Sequence, residues 1–180
     1  MIPMKEEWMA ALAARHGAML QSRFSSATVA ICGLGGLGSN IAIALGRAGI
    51  GKLILIDFDR VDLSNLHRQQ YRATQIGRYK TEALAENLRE IAPYTEIETI
   101  TERITEDNAR SLLTGADIVC EAFDDAQAKA TNKAEKAALA LYGTIPVSTP
   151  PSYYATKTGL ANYGSAGFAG SLPQDIGWQK

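Results

Sequence analysis

The sequence predicts an α/β protein with a Rossmann-like, doubly wound and mainly parallel sheet that carries helices on both faces. Two observations support this prediction. Short apolar runs alternate with helical periodicities along most of the chain, which is the pattern of consecutive β-α-β units. The first apolar run ends directly in a glycine cluster and a helical pattern follows it, as at the start of a phosphate-binding β-α unit.

The first β-α-β unit is the most clearly patterned part of the chain. Residues 28–32 form a β-branched run that predicts a strand, residues 39–48 predict a helix, and residues 52–57 predict a second strand. Ahead of this unit, apolar residues recur near helical spacing over residues 6–21 and predict a single amphipathic helix. We therefore expect a helical arm over residues 1–26.

The alternation resumes after a long polar connection over residues 58–77, and loops of this length are usually functional or mobile. Residues 80–91 predict a helix and residues 97–101 predict a strand. A short helix over residues 107–113, with Thr105 as a cap, precedes a strand over residues 117–123. The order of these elements matches a second and third crossover of a parallel sheet.

The last third of the chain changes character. A helix is expected over residues 126–141 and a fifth strand over residues 145–148. From residue 150 onward, glycine, serine, tyrosine and proline are frequent and no periodicity stands out. We expect one Rossmann-like domain over residues 27–149 and an irregular tail over residues 150–180.

Composition and charge argue against several classes of function. The 180 residues are 46% hydrophobic and 21% charged, with a net charge of -1, so there is no electrostatic footprint for nucleic acid or an anionic membrane. No apolar run is long enough to span a bilayer, and the N-terminus lacks the pattern of a signal peptide. We expect a cytoplasmic protein. Cys32 and Cys120 form no C-x-x-C pair and are expected to be core residues.

The glycine cluster lies where glycines serve a phosphate. It comprises Gly33, Gly35, Gly36 and Gly38, between a predicted strand and a predicted helix. Glycines permit a tight turn there, and the helix N-terminus supplies N–H groups and partial positive charge. Asp57 ends the next strand about twenty residues on, where a carboxylate can accept bonds from ribose hydroxyls. This pattern predicts nucleotide binding, with a turn that only allows close packing as the alternative.

Further polar residues bear on which nucleotide is bound. Asp59, Asn65, Arg68, Lys80 and Asp124 fall at predicted strand ends, in the connection or at a helix start. Strand carboxyl ends converge on one crevice, so these side chains are expected near a phosphate chain. Two cations and several carboxylates suit a triphosphate with Mg²⁺ better than a dinucleotide. A NAD- or FAD-dependent oxidoreductase and solvated surface charges remain the alternatives.

The residues resemble the ThiF/MoeB/HesA family of ubiquitin-activating-type adenylyltransferases, in particular its short bacterial ThiF-like members. The resemblance covers Arg15 to Lys133. Its most specific part is the pairing of two motifs, the glycine cluster and an S-N-L-x-R-Q run at residues 64–69. It also rests on D-F-D at residues 57–59, G-R-Y-K at residues 77–80 and E-A-F-D-D at residues 121–125.

The resemblance implies a role for each site residue. Asp57 would hold the ribose, Asn65, Arg68 and Lys80 would contact phosphates, and Asp124 would bind Mg²⁺. Asp59 would line the same pocket with support from Gln69. Arg68, Lys80 and Asp124 would act in catalysis. Family members are usually homodimers in which an N-terminal arginine reaches the partner's nucleotide, and Arg15 or Arg23 could match it.

The resemblance also implies a reaction. Residues 27–149 would use ATP to adenylate the C-terminal carboxylate of a small ThiS-like sulfur carrier ending in Gly-Gly, releasing pyrophosphate, in thiamine or related sulfur-transfer biosynthesis. The alternatives are an enzyme like tRNA threonylcarbamoyladenosine dehydratase, an oxidoreductase and an inactive nucleotide-binding scaffold.

The chain also departs from the family pattern. Many members carry two C-x-x-C pairs and a C-terminal cysteine, which this chain lacks, so no zinc is expected. Asp125 stands where asparagine is usual, and the sequence after Lys133 does not match the usual partner-facing segment.

Overall fold

A computed structural model describes residues 2–105 and 107–123. The expected helix over residues 126–141, the fifth strand over residues 145–148 and the tail over residues 150–180 lie outside the described residues. The elements follow one another as α1 (Lys5–His16), α2 (Ala18–Ser26), β1 (Thr28–Cys32), α3 (Gly36–Ala48), β2 (Lys52–Ile56), α4 (Lys80–Ile91), β3 (Glu96–Ile100), α5 (Ala109–Leu113) and β4 (Ile118–Glu121).

The four strands form one parallel sheet in the order β3-β2-β1-β4. The crossovers β1-α3-β2 and β2-α4-β3 step in one direction across the sheet, and β3-α5-β4 steps back past β1. Because such crossovers are right-handed, α5 lies on the opposite face from α3 and α4. The predicted doubly wound α/β fold is confirmed. Its strand order reverses between β1 and β4, where open α/β sheets bind ligands at the carboxyl ends of the strands.

The core lies between the two central strands and the helices of one face. β1 and β2 are buried along nearly their whole length, which explains why their sequences are continuously apolar rather than alternating. The edge strand β3 alternates instead and exposes Glu96 and Glu98. The central side chains of the core are fully buried, and they are Ile31, Leu53, Leu55, Leu84 and Leu88.

The arm differs from its prediction. Instead of one helix over residues 6–21, α1 and α2 are separated by Gly17, whose φ of 84° lies in the left-handed region that favours glycine. Both helices are short and α1 buries none of its residues, so tertiary contacts decide their direction. Gln21 is the buried residue of α2. The prediction of a single helix was wrong because the periodicity continues across a glycine that turns the chain.

Two helix boundaries also shift. α3 begins at Gly36, inside the glycine cluster, rather than at residue 39. α5 begins at Ala109 rather than at residue 107, and Asn108 is its N-cap. Thr105 still contributes, since its hydroxyl lies 3.4 Å from the backbone nitrogen of Asn108. Both changes leave the order of the elements as predicted.

The connection over residues 58–79 is ordered without a long helix or strand. It contains two 3₁₀ turns, Leu63–Asn65 and Ala73–Gln75, and an isolated antiparallel bridge between Arg60 and Tyr79. Asp62 caps the first turn because its carboxylate accepts from the backbone nitrogen of Ser64 at 2.8 Å. The Ser64 hydroxyl also donates to this carboxylate, and together the two bonds lower the pKa of Asp62.

Candidate functional site

The glycine turn after β1 closes too tightly for side chains. Gly33 has a φ of 90°, and a Cβ atom there would lie 2.9 Å from the Ala122 carbonyl oxygen. A Cβ atom on Gly38 would lie 1.8 Å from the carbonyl oxygen of Gly33. The turn therefore requires glycine at both positions, because the first turn of α3 packs directly on the backbone that leaves β1.

The N-terminus of α3 faces the carboxyl end of the sheet without a side-chain cap. Gly35 occupies the N-cap position and has no side chain. The first N–H groups of this 13-residue helix therefore have no side-chain acceptor at the cap. Arg68 lies against this turn, since a Cβ atom on Gly36 would come within 3.3 Å of its Nη1 atom. Backbone N–H groups and a guanidinium group thus meet at one place, and both attract phosphate oxygens.

A buried pair of opposite charges lies beside the glycine turn. Asp57 is 8% exposed and Lys80 is 7% exposed. The Lys80 ammonium group lies 2.9 Å from an oxygen of Asp59 and 3.8 Å from Oδ2 of Asp57. That same Oδ2 atom accepts from the backbone nitrogen of Leu34 at 2.6 Å. Asp57 therefore links the glycine turn to the lysine, and Asp59 remains partly exposed.

Lys80 is held at this depth by the start of α4. It is the first residue of the helix, and its backbone nitrogen donates to the carbonyl of Asp59 at 3.0 Å. The preceding Tyr79 pairs with Arg60, whose guanidinium carbon lies 3.8 Å from the centre of the tyrosine ring. Since both the backbone and the side chain of Lys80 are fixed, its ammonium group is preorganised before any ligand arrives.

Tyr71 fastens the connection to the glycine turn, and the sequence reasoning missed it. Its hydroxyl donates to the carbonyl of Leu34 at 2.7 Å. Burial raises the pKa of this phenol, and the nearby charges of Asp57 and Asp59 raise it further, so it stays a neutral donor. The signal was its place directly after the R-Q-Q run.

Two more residues that the sequence reasoning missed, Ser39 and Asn40, join α3 to the connection. The Ser39 hydroxyl donates to the carbonyl of Gly35 at 2.6 Å and accepts from the backbone nitrogen of Gln70 at 3.2 Å. The Asn40 amide donates to the carbonyls of Gly36 at 2.6 Å and of Arg68 at 3.3 Å. Ser39 and Asn40 follow the glycine cluster directly, so their position in the first turn of α3 was the available signal.

The remaining predicted residues lie in or near the same loop. Asn65 ends the first 3₁₀ turn, and its carbonyl accepts from the backbone nitrogen of Arg68 at 3.2 Å. Gln69 is 6% exposed, and its buried Oε1 atom has no hydrogen-bond partner in the part of the chain that the structure describes. A buried acceptor without a partner is costly, so this amide marks a position where a donor would be stabilising. Asp124 lies outside the described residues.

The structure does not bring every named residue to this site. Arg15 and Arg23 are exposed on the arm, which packs at the amino end of the sheet through contacts such as Gly51 nitrogen to the Phe24 carbonyl. His16 lies 2.9 Å from the amide oxygen of Gln21, also on the arm. Over residues 2–105 and 107–123, no group of three side chains could hold a metal ion by itself.

The two cysteines are packed rather than reactive. Both are free thiols, Cys32 buried and Cys120 partly buried. Burial raises the pKa of Cys32 to about 12, with smaller contributions from Cys120 and Glu121, and burial also raises the pKa of Cys120. Both therefore remain protonated and poorly nucleophilic at neutral pH. None of the described helices combines the length and the apolar character needed to cross a membrane.

Comparison with known sequences gives one family. Residues 9–142 match the ThiF family, which is more than half of the chain. Adenylyltransferase and sulfurtransferase MOCS3 of Caenorhabditis briggsae is 37% identical over 108 residues, which cover 58% of this chain and 26% of that protein. Ubiquitin-like modifier-activating enzyme 5 of Drosophila pseudoobscura pseudoobscura is 41% identical over 119 residues, which cover 59% of this chain and 30% of that protein. The chain spans about a quarter of the length of the curated relatives it matches.

Solved structures give the same result. E. coli tRNA N6-threonylcarbamoyladenosine dehydratase in complex with ATP superposes with a TM-score of 0.65 at 29% identity, covering 76% of this chain and 59% of that one. E. coli MccB superposes with a TM-score of 0.64 at 25% identity, and the match covers 72% of this chain and 40% of that one. The parallel sheet, the glycine turn and the S-N-L-x-R-Q loop thus occur together with a family match over most of the chain. This protein belongs to the ThiF family.

Proposed function

We propose that the protein uses MgATP to adenylate the C-terminal carboxylate of a small ubiquitin-like sulfur carrier that ends in Gly-Gly, as a ThiS-like partner would. The observation that carries the proposal is the buried Lys80 beside the glycine turn, with Arg68 lying against Gly36. Two fixed cations and an uncapped helix N-terminus suit three phosphates better than the pyrophosphate bridge of a dinucleotide.

The relatives support this reading. Two are named as an adenylyltransferase and as a ubiquitin-like modifier-activating enzyme, and one structural neighbour was solved with ATP. The family match over residues 9–142 includes both the glycine turn and the S-N-L-x-R-Q loop. The names give adenylyl transfer, activation of a ubiquitin-like modifier and a complex with ATP, and an adenylyl-transferring site would account for all three.

The reaction needs charge neutralisation more than proton transfer. A C-terminal carboxylate is already ionised at neutral pH, so one of its oxygens can attack the α-phosphorus without a general base. The new bond joins that oxygen to phosphorus, and the bond from the α-phosphorus to the bridging oxygen of the β-phosphate breaks. Pyrophosphate leaves with the electron pair. The protein must therefore align the two reactants and stabilise the charge that grows on the leaving group.

The described residues can supply those two effects. Arg68 and Lys80 would neutralise the leaving phosphates, and Asn65 and the N–H groups of the glycine turn would orient them. Asp57 and Asp59 would hold the ribose and keep Lys80 in place. Gln69 would accept a hydrogen bond within the same pocket through its Oε1 atom, which lacks a partner among the described residues.

The site is compatible with Mg²⁺. This ion keeps several water ligands and is usually held by one or two carboxylates together with substrate phosphates, so a cluster of three protein ligands is not required. We propose Asp124 as its protein ligand, because that residue comes shortly after the last residue of β4, Glu121, in the sequence. When bound, Mg²⁺ would neutralise phosphate charge.

A flat surface for the base is present next to Asp57. Phe58 exposes 42% of its surface, and the guanidinium carbon of Arg103 lies 4.0 Å from the centre of its ring. β2 and β3 are neighbours, so both residues follow adjacent strands at the carboxyl edge. We propose that this pair provides the stacking surface for adenine.

The test is carrier-dependent exchange between ATP and labelled pyrophosphate. We expect exchange with a small carrier that ends in Gly-Gly and none with the same carrier lacking those two residues. Calorimetry should show MgATP binding more tightly than NAD⁺ or NADP⁺. Tighter binding of a dinucleotide would contradict the proposal and favour an oxidoreductase. Binding of MgATP without exchange on any carrier would favour a nucleotide-binding scaffold.

A second function is favoured by a specific observation. The structural neighbours include tRNA N6-threonylcarbamoyladenosine dehydratase, at 32% identity in one crystal structure. The corresponding reaction would adenylate a carboxylate on a modified tRNA nucleoside instead of a carrier protein. The net charge of -1 argues mildly against it, because the chain as a whole does not attract the phosphates of RNA. Exchange stimulated by modified tRNA, and not by a Gly-Gly carrier, would establish the second function.

We extend the proposal to the organisation of the chain. Residues 1–26 would form the arm, residues 27–149 the adenylation domain and residues 150–180 a tail. A homodimer would let Arg15 or Arg23 reach the partner's nucleotide. A cytoplasmic role in thiamine or related sulfur-transfer biosynthesis would fit such an enzyme.

A further inference from the structure

Two buried side-chain amides, one in the connection and one on α4, form a hydrogen-bonded pair that has no role in the proposed chemistry. Gln75 is 1% exposed in the second 3₁₀ turn, and Asn87 is 6% exposed on α4. The Gln75 amide nitrogen donates to Oδ1 of Asn87 at 2.9 Å and to the carbonyl of Ala83 at 3.1 Å. The Asn87 amide nitrogen lies 3.2 Å from Oε1 of Gln75. Buried amides are directional and costly when unsatisfied, so this pair specifies one arrangement of the chain.

The pair holds the connection at two points. Asn87 donates to the carbonyl of Gln70 at 2.9 Å. The backbone nitrogen of Arg72 donates to Oε1 of Gln75, also at 2.9 Å. Both ends of the segment from residue 70 to residue 75 are therefore attached to the same two side chains on the same side of α4.

Gln70 is the junction between this pair and the site. Its backbone nitrogen donates to the Ser39 hydroxyl at 3.2 Å, and its side chain donates to Oδ1 of Asn40 at 2.7 Å. Gln70 is thus held by α3 on one side and by Asn87 of α4 on the other. Arg68 lies two residues earlier, and each residue spans at most about 3.6 Å, so the position of Gln70 limits where the guanidinium group can lie.

We infer that Gln75 and Asn87 are positioning residues that set Arg68 against the glycine turn through Gln70. The inference rests on the proposed function for its effect on the reaction. The hydrogen bonds of the pair run to Arg72, Ala83 and Gln70 and not to the glycine turn or Lys80. Its influence on catalysis therefore passes through the loop that carries Arg68. A displacement of that loop by about 1 Å is enough to reduce a rate by two orders of magnitude.

The test is a double-mutant cycle between Asn87 and Arg68. Asn87→Leu keeps the volume and removes the donor to Gln70, and we expect it to lower carrier-dependent pyrophosphate exchange about tenfold or more in kcat. In the Arg68→Ala background the same change should lower the rate less than about twofold, since the group it positions is already gone. Effects that multiply in the double variant would overturn the inference.

Gln21→Leu is the matched control for a merely structural loss. Gln21 is a buried amide too, at 4% exposure, and it donates to the carbonyl of Gly49 at 3.4 Å, at the amino end of the sheet. We expect it to lower the melting temperature about as much as Asn87→Leu and to leave exchange within about twofold of the wild type. An equal loss of exchange in both variants would show that stability alone explains the effect.

Hydrogen exchange tests the positioning without any activity. In Asn87→Leu the backbone amides of residues 65–70 should exchange about tenfold faster than in the wild type, while the amides of α3 keep their protection. In Gln21→Leu the amides of residues 65–70 should exchange as slowly as in the wild type. Unchanged protection over residues 65–70 would overturn the inference whether or not the protein adenylates anything. If Asn87→Leu does not fold, Asn87→Ala provides the same comparison with room for water. If the wild-type protein shows no pyrophosphate exchange, that result would count against the proposed function alone.

Discussion

The carboxyl and amino edges of the sheet, where the strands end and begin, have similar glycine packing but bury different polar groups. At the carboxyl edge a Cβ atom on Gly38 would lie 1.8 Å from the Gly33 carbonyl, and at the amino edge a Cβ atom on Gly51 would lie 2.2 Å from the Ser25 carbonyl. Each edge also buries amide side chains. Close approach of glycine and buried amides therefore occur at both edges, and neither feature by itself marks a binding site.

Charge is what distinguishes the edges. Within residues 2–105 and 107–123, the buried charged side chains are Asp57 and Lys80, and both lie at the carboxyl edge. The amino edge buries the neutral Gln21, and its lysine, Lys52, remains partly exposed beside Glu96 and Glu98. Burying charge is costly even when it is paired, so the carboxyl edge is the better candidate for a site that binds a charged ligand.

The largest difference between the edges is expected from their arginines. Arg68→Ala should lower pyrophosphate exchange by about two to three orders of magnitude, the range typical when one preorganised charge is removed. Its effect on ATP affinity should be smaller, because the leaving group gains charge in the transition state. Arg47→Ala, at the exposed end of α3 on the amino edge, is the control and should keep nearly full activity. Equal rates for wild type and Arg68→Ala would remove the assigned site.

The two close-packed glycines give the next comparison. Gly38→Ala and Gly51→Ala each force a methyl group into a backbone carbonyl, so each should lower the free energy of unfolding by about 3 kcal/mol. Only Gly38→Ala should also abolish MgATP binding, because it displaces the helix N-terminus that would face the phosphates in the proposed site. Urea denaturation and calorimetry on both variants measure this. Loss of nucleotide binding in Gly51→Ala would show that the amino edge contributes to the site.

The two lysines provide a smaller and more selective contrast. Lys80→Met leaves Asp57 buried without its cation and should cost about 2 kcal/mol of stability, less than a fully buried pair because Asp59 is partly exposed. Lys52→Met removes surface ion pairs and should cost about 0.5 kcal/mol or less. Urea denaturation at low and high salt separates them, since only the Lys52 contribution should fall with salt. Similar costs for both would contradict the distinction between the edges.

The smallest effect concerns the thiol at the end of β1. The pKa of Cys32 is raised to about 12 from 9.0, so between these values the native state holds a proton that the unfolded chain releases. Stability is therefore fully present below pH 9 and is lost as the pH rises, by about 1 kcal/mol from pH 9 to pH 10. Cys32→Val should flatten this part of the profile and leave exchange activity intact. A loss of activity with the fold preserved would mean that the thiol acts in the reaction.

Much of the fold was predictable because its strands are short, apolar and separated by clear helical periodicities. β1, β2 and α4 fall within a residue or two of their predicted ends, since Gly33 follows β1, Gly51 precedes β2 and Pro93 comes just after α4 as breakers. The arm was predicted less well, because Gly17 interrupts a periodicity that continues on either side of it. A weakly packed helix takes its direction from tertiary contacts that periodicity does not encode.

The site divides in the same way. The glycine turn, Asp57, Arg68 and Lys80 could be proposed as site residues because their residue types and spacings are typical of nucleotide binding. Tyr71, Gln75 and Asn87 were missed because a buried tyrosine, glutamine or asparagine looks like any polar residue of a loop or helix until its partners are known. Apart from the Arg72 nitrogen that donates to Gln75, their partners lie 8 to 37 positions away in the sequence, as with Gln75 to Ala83 and Tyr71 to Leu34.

By itself the sequence determined the α/β alternation, the glycine turn and the identity of the cations near it. Each of these depends on neighbours within one turn or one strand, where backbone sterics and local periodicity are strong. Only the tertiary structure decided that Lys80 is buried between two aspartates, that Arg68 lies on Gly36, and that Asn87 holds the loop between them. Those arrangements depend on which distant atoms share a buried space, and burial is what makes the choice of hydrogen-bond partner decisive.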